Sequence, residues 1–239
     1  MAGVDEVAKL MTAVAEQVRR SKALHFVVSC RIRFQIGGDI LPLSTDLGPV
    51  RVEAWYRSPQ WRFEASYGRG QWVSVVAEPS NYVHVLSPDG RWTRRKSPIG
   101  VRPDEAKLKL LKLDLTDTVT YVSMAEASWN GQAVWVVEGL GVGESRVKWW
   151  IGKDDLAVRK FEQGGGFFEF EHGGEKKRAP SPGATVLEFE VVEFPVDVPS
   201  ELFEVPPDAP VEETATDNLL ELLNQWVTSG GRHPGNGGS

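Results

Sequence analysis

Apolar positions along the first stretch of the chain recur at three- and four-residue steps. Over residues 4–22, Val4, Val7, Ala8, Met11, Val14, Ala15 and Val18 keep that spacing, with Asp5, Glu6, Lys9, Glu16 and Arg19 elsewhere on the wheel. The spacing predicts an amphipathic helix. The period then drops to two. Phe26, Val28, Cys30, Ile32, Phe34 and Ile36 alternate with His25, Ser29, Arg31, Arg33 and Gln35, and only Val27 breaks the polar row. This predicts a long strand with one apolar and one wet face. Gly37-Gly38 ends it, and a loop containing Pro42 and Pro49 is expected next.

Strand-like runs follow at 50–57, 61–67, 72–77, 82–87 and 91–95, separated by Ser58-Pro59, Gly68-Arg69-Gly70, Glu78-Pro79-Ser80-Asn81 and Pro88-Asp89-Gly90. Residues 103–113 predict a short helix, with Pro103 in its first turn and Asp104 and Glu105 near the positive end of its dipole. Strands resume at 119–127, 133–140, 145–151, 157–163 and 184–194, and Asn130-Gly131 is a two-residue hairpin signal. Residues 171–183, glycine-rich and basic, read as a mobile loop on the sheet edge. In residues 212–228, Leu219, Leu220, Leu222, Leu223 and Trp226 stand at helical spacing, and a polar tail follows. Turns this short imply antiparallel pairing, so the expectation is mainly β (α+β): about eleven strands in one antiparallel sheet with a helix laid against it. The divisions expected are 1–210 as the sheet domain, 211–229 as a C-terminal amphipathic helix and 230–239 as a tail.

Composition narrows the function classes. With 239 residues the chain needs neither metal nor disulfide to fold. Twenty-seven basic against thirty-three acidic residues give a net charge of -6, so there is no overall pull toward nucleic acid. Cys30 is the one cysteine, which excludes an internal disulfide and a cysteine-based zinc cluster. No run approaches the roughly 20 apolar residues of a membrane span. The N-terminus lacks a signal-peptide pattern, which leaves two readings: action in the cytoplasm, or a signal segment removed.

Candidate chemistry is sparse. His25, His84, His172 and His233 are widely spaced and never paired at metal-ligand intervals. Gly164-Gly165-Gly166 lacks the Lys-Ser/Thr of a phosphate loop, and there is no G-x-S-x-G elbow. Glu188 and Glu190 alternate with Leu187, Phe189 and Val191, which marks a solvent-facing row. No catalytic residue, metal or cofactor is assigned, and the chain is read as no enzyme. The aromatic inventory says more. Nine tryptophans are present, and Trp55, Trp61, Trp72, Trp92, Trp129, Trp135, Trp149 and Trp150 lie in or beside strands. Most of these indoles suit a core, yet so much aromatic bulk on one curved sheet also suits an apolar pocket.

The run Trp55-Tyr56-Arg57-Ser58-Pro59-Gln60-Trp61-Arg62-Phe63-Glu64 resembles the "R-P-x-x-F" strand turn of the LolA/LolB-like lipoprotein carrier superfamily, which includes RseB/MucB-type envelope-stress sensors. Residues 146–154, with Trp149-Trp150-Ile151-Gly152-Lys153-Asp154, resemble its "W-I-d-k-d" strand, and Leu202-Phe203-Glu204-Val205-Pro206-Pro207 its closing "l-F-x-x-P-P". The resemblance spans roughly residues 4–210. It implies a strongly curved, unclosed antiparallel half-barrel with helices covering the concave face and an acyl chain held in the hollow. Side chains expected at the hollow are Val28, Phe34, Phe63, Trp72, Tyr82, Trp92, Trp135 and Trp149. Arg57 is the nearest counterpart of the arginine that latches the helical lid, although Ser58 is inserted between it and the proline. The function implied is binding or carriage of a lipid or lipoprotein acyl chain by a monomer outside the cytoplasm. The alternative is a regulatory or scaffold module that binds a partner protein through the same face. The helix at 212–228 either packs on its own barrel or docks a partner.

Overall fold

A computed structural model of the chain describes residues 4–36, 39–42, 50–67, 71–77, 82–86, 92–96, 103–172, 174–181, 183–194 and 197–205. Helix α1 (Val4–Arg20) carries Asp5 and Glu6 in its first turn and Arg19 and Arg20 in its last, each sign at the end of the dipole that favours it. Its buried residues Val7, Met11, Val14, Ala15 and Val18 form the stripe read from the sequence. The chain then enters β1 (Ala23–Ile36), followed by β2 (Asp39–Pro42), β3 (Val50–Arg57), β4 (Gln60–Tyr67), β5 (Gln71–Ala77), β6 (Tyr82–Leu86) and β7 (Trp92–Lys96). Helix α2 (Pro103–Leu110) and a 3-10 turn at Asp114–Asp117 lead to β8 (Thr120–Trp129), β9 (Gln132–Leu140), β10 (Arg146–Gly152) and β11 (Val158–Gly164). A hairpin of β12 (Phe167–His172) and β13 (Glu175–Pro180) precedes β14 (Gly183–Glu193), and a 3-10 turn at Ser200–Phe203 follows.

The main sheet is antiparallel and runs β7-β6-β5-β4-β3-β1-β14-β11-β10-β9-β8, with β2 paired to β1. Its outer strands β7 and β8 are not paired to each other, so the sheet is not closed into a barrel. The β8–β9 turn matches its sequence signal: Asn130 and Gly131 have φ of 49° and 82°, the two positive values a type I′ turn requires.

Two segments depart from the sequence reading. Pro42, expected in a loop, ends β2 and pairs with Arg33. The stretch expected as a mobile loop over 171–183 supplies β13, which pairs in register with β12. Opposite charges stand across the ribbon in register, Glu169 opposite Arg178 and Glu171 opposite Lys176, and Arg178 also lies over the Phe167 ring at 4.1 Å. The ribbon rests on the turn before β10, where Gly143 (φ 66°) approaches the Phe167 carbonyl so closely that any Cβ would collide with it. Arg178 and Glu144 add an ion pair at 2.8 Å.

Register defines two faces. On one, Met124, Val137, Trp149, Phe161, Leu187, Cys30 and Val50 form a single rung across seven strands. The buried stripe of α1 and Leu108, Leu111 and Leu113 belong to the same core as this inner face. On the outer face runs a ladder of ion pairs: Arg51 with Glu190, Arg31 with Glu188, Lys160 with Glu162 and Glu188, and Lys148 with Glu138. A second, smaller cluster of Ala23, Val198 and Phe203 gathers Trp55, Trp92, Leu202 and Val205. Here residues 197–205 lie across the outer face as a strap. The expected helix at 212–228 lies outside the described residues.

Register also defines two ends. Ala23, Arg57 and Gln60 stand together at one. At the other, Thr120, Leu140, Arg146, Gly164, Ala184 and Arg33 form a continuous rung.

Candidate functional site: the inner face of the sheet

Along β1, β3 and β4 the inner face is sealed at the Arg57 end and less covered farther on, while on β10 Val147 stays buried beside the rung at the other end. Alternate residues of β1 record the change: Leu24 is 0% exposed, Phe26 1%, Val28 7%, and Cys30 is half-buried. The neighbouring strands follow. Tyr56 and Trp61 are buried, while one and two rungs further along Phe63 and Val52 are only partly covered. Val28, Cys30, Val52, Phe63, Leu187 and Phe189 thus make an apolar floor on the core side.

The sealed end is built from aromatics and one lysine. Tyr56 and Trp61 are 4.7 Å apart, and Trp61 stacks on Phe63 at 5.1 Å and 9°. Lys107 of α2, 1% exposed, donates to the Arg19 and Ser21 carbonyls at 3.2 and 2.7 Å, and its Nζ stands 4.6 Å from the centre of the Tyr56 ring. The carbonyls at the C-terminal end of α1 carry partial negative charge, so a buried ammonium is tolerated there. Trp149, wholly buried, donates from Nε1 to the Lys112 carbonyl at 3.2 Å, fixing the turn after α2 to β10. Burial pushes the Cys30 thiol up, a shift that the nearby Lys112 ammonium opposes. That thiol is a small apolar wall atom rather than a nucleophile.

The expected site residues divide. Val28 and Phe63 lie on the floor, and Trp135 packs partly buried against the core on β9, with Lys153 Nζ 4.0 Å from its ring. Trp149 is a core residue with no exposed surface. Trp92 belongs on the other side: it packs with the second cluster on the outer face, because the pairing from β7 through β4 places it in register with Glu64 and Glu53. Phe34, Trp72 and Tyr82 stand in β1, β5 and β6, with side chains outside those the structure describes.

Arg57 faces away from α1 and α2. It donates to the Val198 carbonyl at 3.4 Å and lies over the Phe203 ring at 5.5 Å, while Arg62 donates to the Leu202 carbonyl at 2.7 Å. Arg57 therefore holds the strap, not either described helix. Sequence reasoning missed Lys107, whose partners are backbone carbonyls that leave no side-chain signature. It also missed Cys30 and Val52 as floor residues, although their alternation with charged neighbours was visible.

His25 is held on the outer face with Nε2 3.0 Å from Glu53 and Nδ1 3.3 Å from Glu193, stacked on Trp55 at 5.5 Å. Among the described residues no group of three or more His, Cys, Asp or Glu is placed to hold a metal ion, and no helix is long and apolar enough to cross a membrane.

No family model and no curated protein matches the chain. Solved structures similar to it include lipoprotein LppX of Mycobacterium tuberculosis, 13% identical with a TM-score of 0.44, covering 82% of this chain and 100% of that one. A LolA superfamily protein of Nitrosomonas europaea is 13% identical with a TM-score of 0.34, covering 83% and 97%. The Pseudomonas aeruginosa MucA/MucB complex gives 10% identity and a TM-score of 0.43, covering 88% of this chain and 64% of the matched one.

Proposed function

We propose that this protein binds a long apolar ligand, a lipid or protein-linked acyl chain, on the inner face of its sheet and carries it without chemical change. One observation carries the reading: the burial gradient along β1, β3 and β4, which leaves Cys30, Val52 and Phe63 as incompletely covered apolar floor beside a sealed core. Each acyl methylene taken from water onto such a floor contributes about 0.8 kcal/mol and needs no directional chemistry. The strong curvature, a helical lid over the concave face and action outside the cytoplasm belong to this proposal.

The test is native mass spectrometry of protein purified without detergent, joined to a titration with a fluorescent fatty-acid analogue. Co-purified lipid and saturable quenching of tryptophan emission are expected, and Phe63→Asp should weaken binding at least about tenfold, close to 1.4 kcal/mol. Glu162→Gln on the outer face should leave affinity unchanged. Flat emission and bare protein would defeat the reading and favour the partner-binding module.

A further inference from the structure

The main sheet ends on two edges that differ in kind. At one, β7 is five residues long and contains Arg94-Arg95-Lys96. Short length and a run of cations are devices that keep a sheet edge from pairing with another chain. At the other, β8 is ten residues long and holds no proline, lysine or arginine. Its bulge lies near its start, at Val122, so residues 123–129 run unbroken beside β9. Among the described residues only β9 pairs with this stretch, and Ala125, Glu126, Ala127 and Ser128 are exposed. Its one charge, Glu126, is already matched by Lys153 at 2.6 Å. An edge of this kind offers backbone donors and acceptors to an added strand.

We infer that this edge is an interface between two copies of the chain, formed by antiparallel pairing of β8 with β8 about Ala127. The inference goes beyond the acyl-binding reading and does not depend on it.

Self-complementarity identifies the occupant. With Ala127 opposite Ala127 of the second copy, Glu126 stands opposite Ser128 and Ala125 opposite Trp129, and a two-fold axis repeats each pair. Each carboxylate then meets a hydroxyl, and each indole meets a methyl group. No like charges are directly opposed, and large lies against small across the new ladder. Trp129 is held in advance for this contact, 6.2 Å from Trp150 with Lys160 Nζ 4.7 and 4.8 Å from the two rings. Little side-chain freedom remains to be lost on pairing. Other registers fit less well. Centring on Glu126 sets two carboxylates face to face, and centring on Met124 or Ala125 draws the Val122 bulge into the ladder. A foreign strand would require no such match within residues 125–129. Ala125, Ala127 and Trp129 share the outer face with Val136 and Trp150, so the two sheets join with their inner faces on the same side.

The experiment is sedimentation equilibrium of the full chain over a range of concentrations, without ligand. The parent should pass from monomer to dimer as concentration rises. Ala127→Lys and Ala127→Glu, at an exposed position, should keep the parent's melting temperature. Each should raise the dissociation constant at least about tenfold, because like charges then meet at the axis. An equimolar mixture of the two should dimerise again, since lysine then faces glutamate. Ser128→Lys should tighten the dimer by setting a cation opposite Glu126 of the second copy. A parent that stays monomeric up to about 1 mM would overturn the inference. So would charged variants at 127 that dimerise as the parent does, or a mixture of folded variants that does not recover.

Discussion

The Nζ of Lys107 lies 4.6 Å from the centre of the Tyr56 ring, and both residues are buried. The contact joins α2 to β3, while the same ammonium reaches the last carbonyls of α1. One side chain therefore ties two helices to the sheet at its sealed end. Lys107→Ala should leave the Arg19 and Ser21 carbonyls short of a donor and cost about 2–4 kcal/mol, read as a fall of several degrees in melting temperature. Lys107→Arg should recover part of the loss. An unchanged melting curve for the alanine variant would show that the carbonyls find other partners.

The strap over 197–205 makes a separate prediction. Arg57 and Arg62 both donate to its carbonyls, and neither faces the helices. Arg62→Ala should speed cleavage within the strap under limited proteolysis, with Arg57→Ala weaker because its hydrogen bond is longer. Each should cost roughly 1 kcal/mol, and neither should alter fatty-acid affinity. A changed affinity with unchanged proteolysis would restore Arg57 as a latch over the ligand.

Trp149 combines a filled core position with a buried hydrogen bond to the Lys112 carbonyl. Trp149→Ala should cost about 3–5 kcal/mol by the cavity it leaves. Trp149→Phe should cost less, about 1–3 kcal/mol, chiefly through the orphaned carbonyl. Denaturant unfolding of both variants checks the order, and a smaller loss for alanine would contradict the core assignment.

Tyr121 should titrate late. Burial first, and then the Asp117 carboxylate, push its hydroxyl up to about 12 from an ordinary 10.0. The folded state then holds its proton more tightly than the unfolded chain, so this contribution to stability is complete below pH 10 and is lost as pH rises from 10 toward 12. Tyrosinate absorbance should show one residue lagging the others, and Tyr121→Phe should remove that lag and flatten the alkaline fall in stability.

Local chemistry determined much of this protein. The three- and four-residue spacing of Val7, Met11, Val14 and Val18 specified the buried stripe of α1, and Asn130-Gly131 specified its hairpin, because helix faces and two-residue turns depend on residues close in the chain. Alternation likewise located β1 and marked Cys30 and Val52 as members of apolar rows. Only the tertiary structure decided which way each row faced. Trp92 and Trp135 both sit in strands, yet pairing turns the first toward the strap and the second toward the core. A single bulge at Val27/Val28 shifts the register of β1 against β14 by one residue, and a slip of one carries every later side chain to the opposite face. Lys107 reads in sequence as one more helix-surface cation. It became a buried tie because α1 ends its carbonyls where α2 crosses, an arrangement between elements far apart in the chain. The ribbon at 167–180 was hidden for the same reason: its glycines suggested a loop, while its strands are defined only by their pairing with each other.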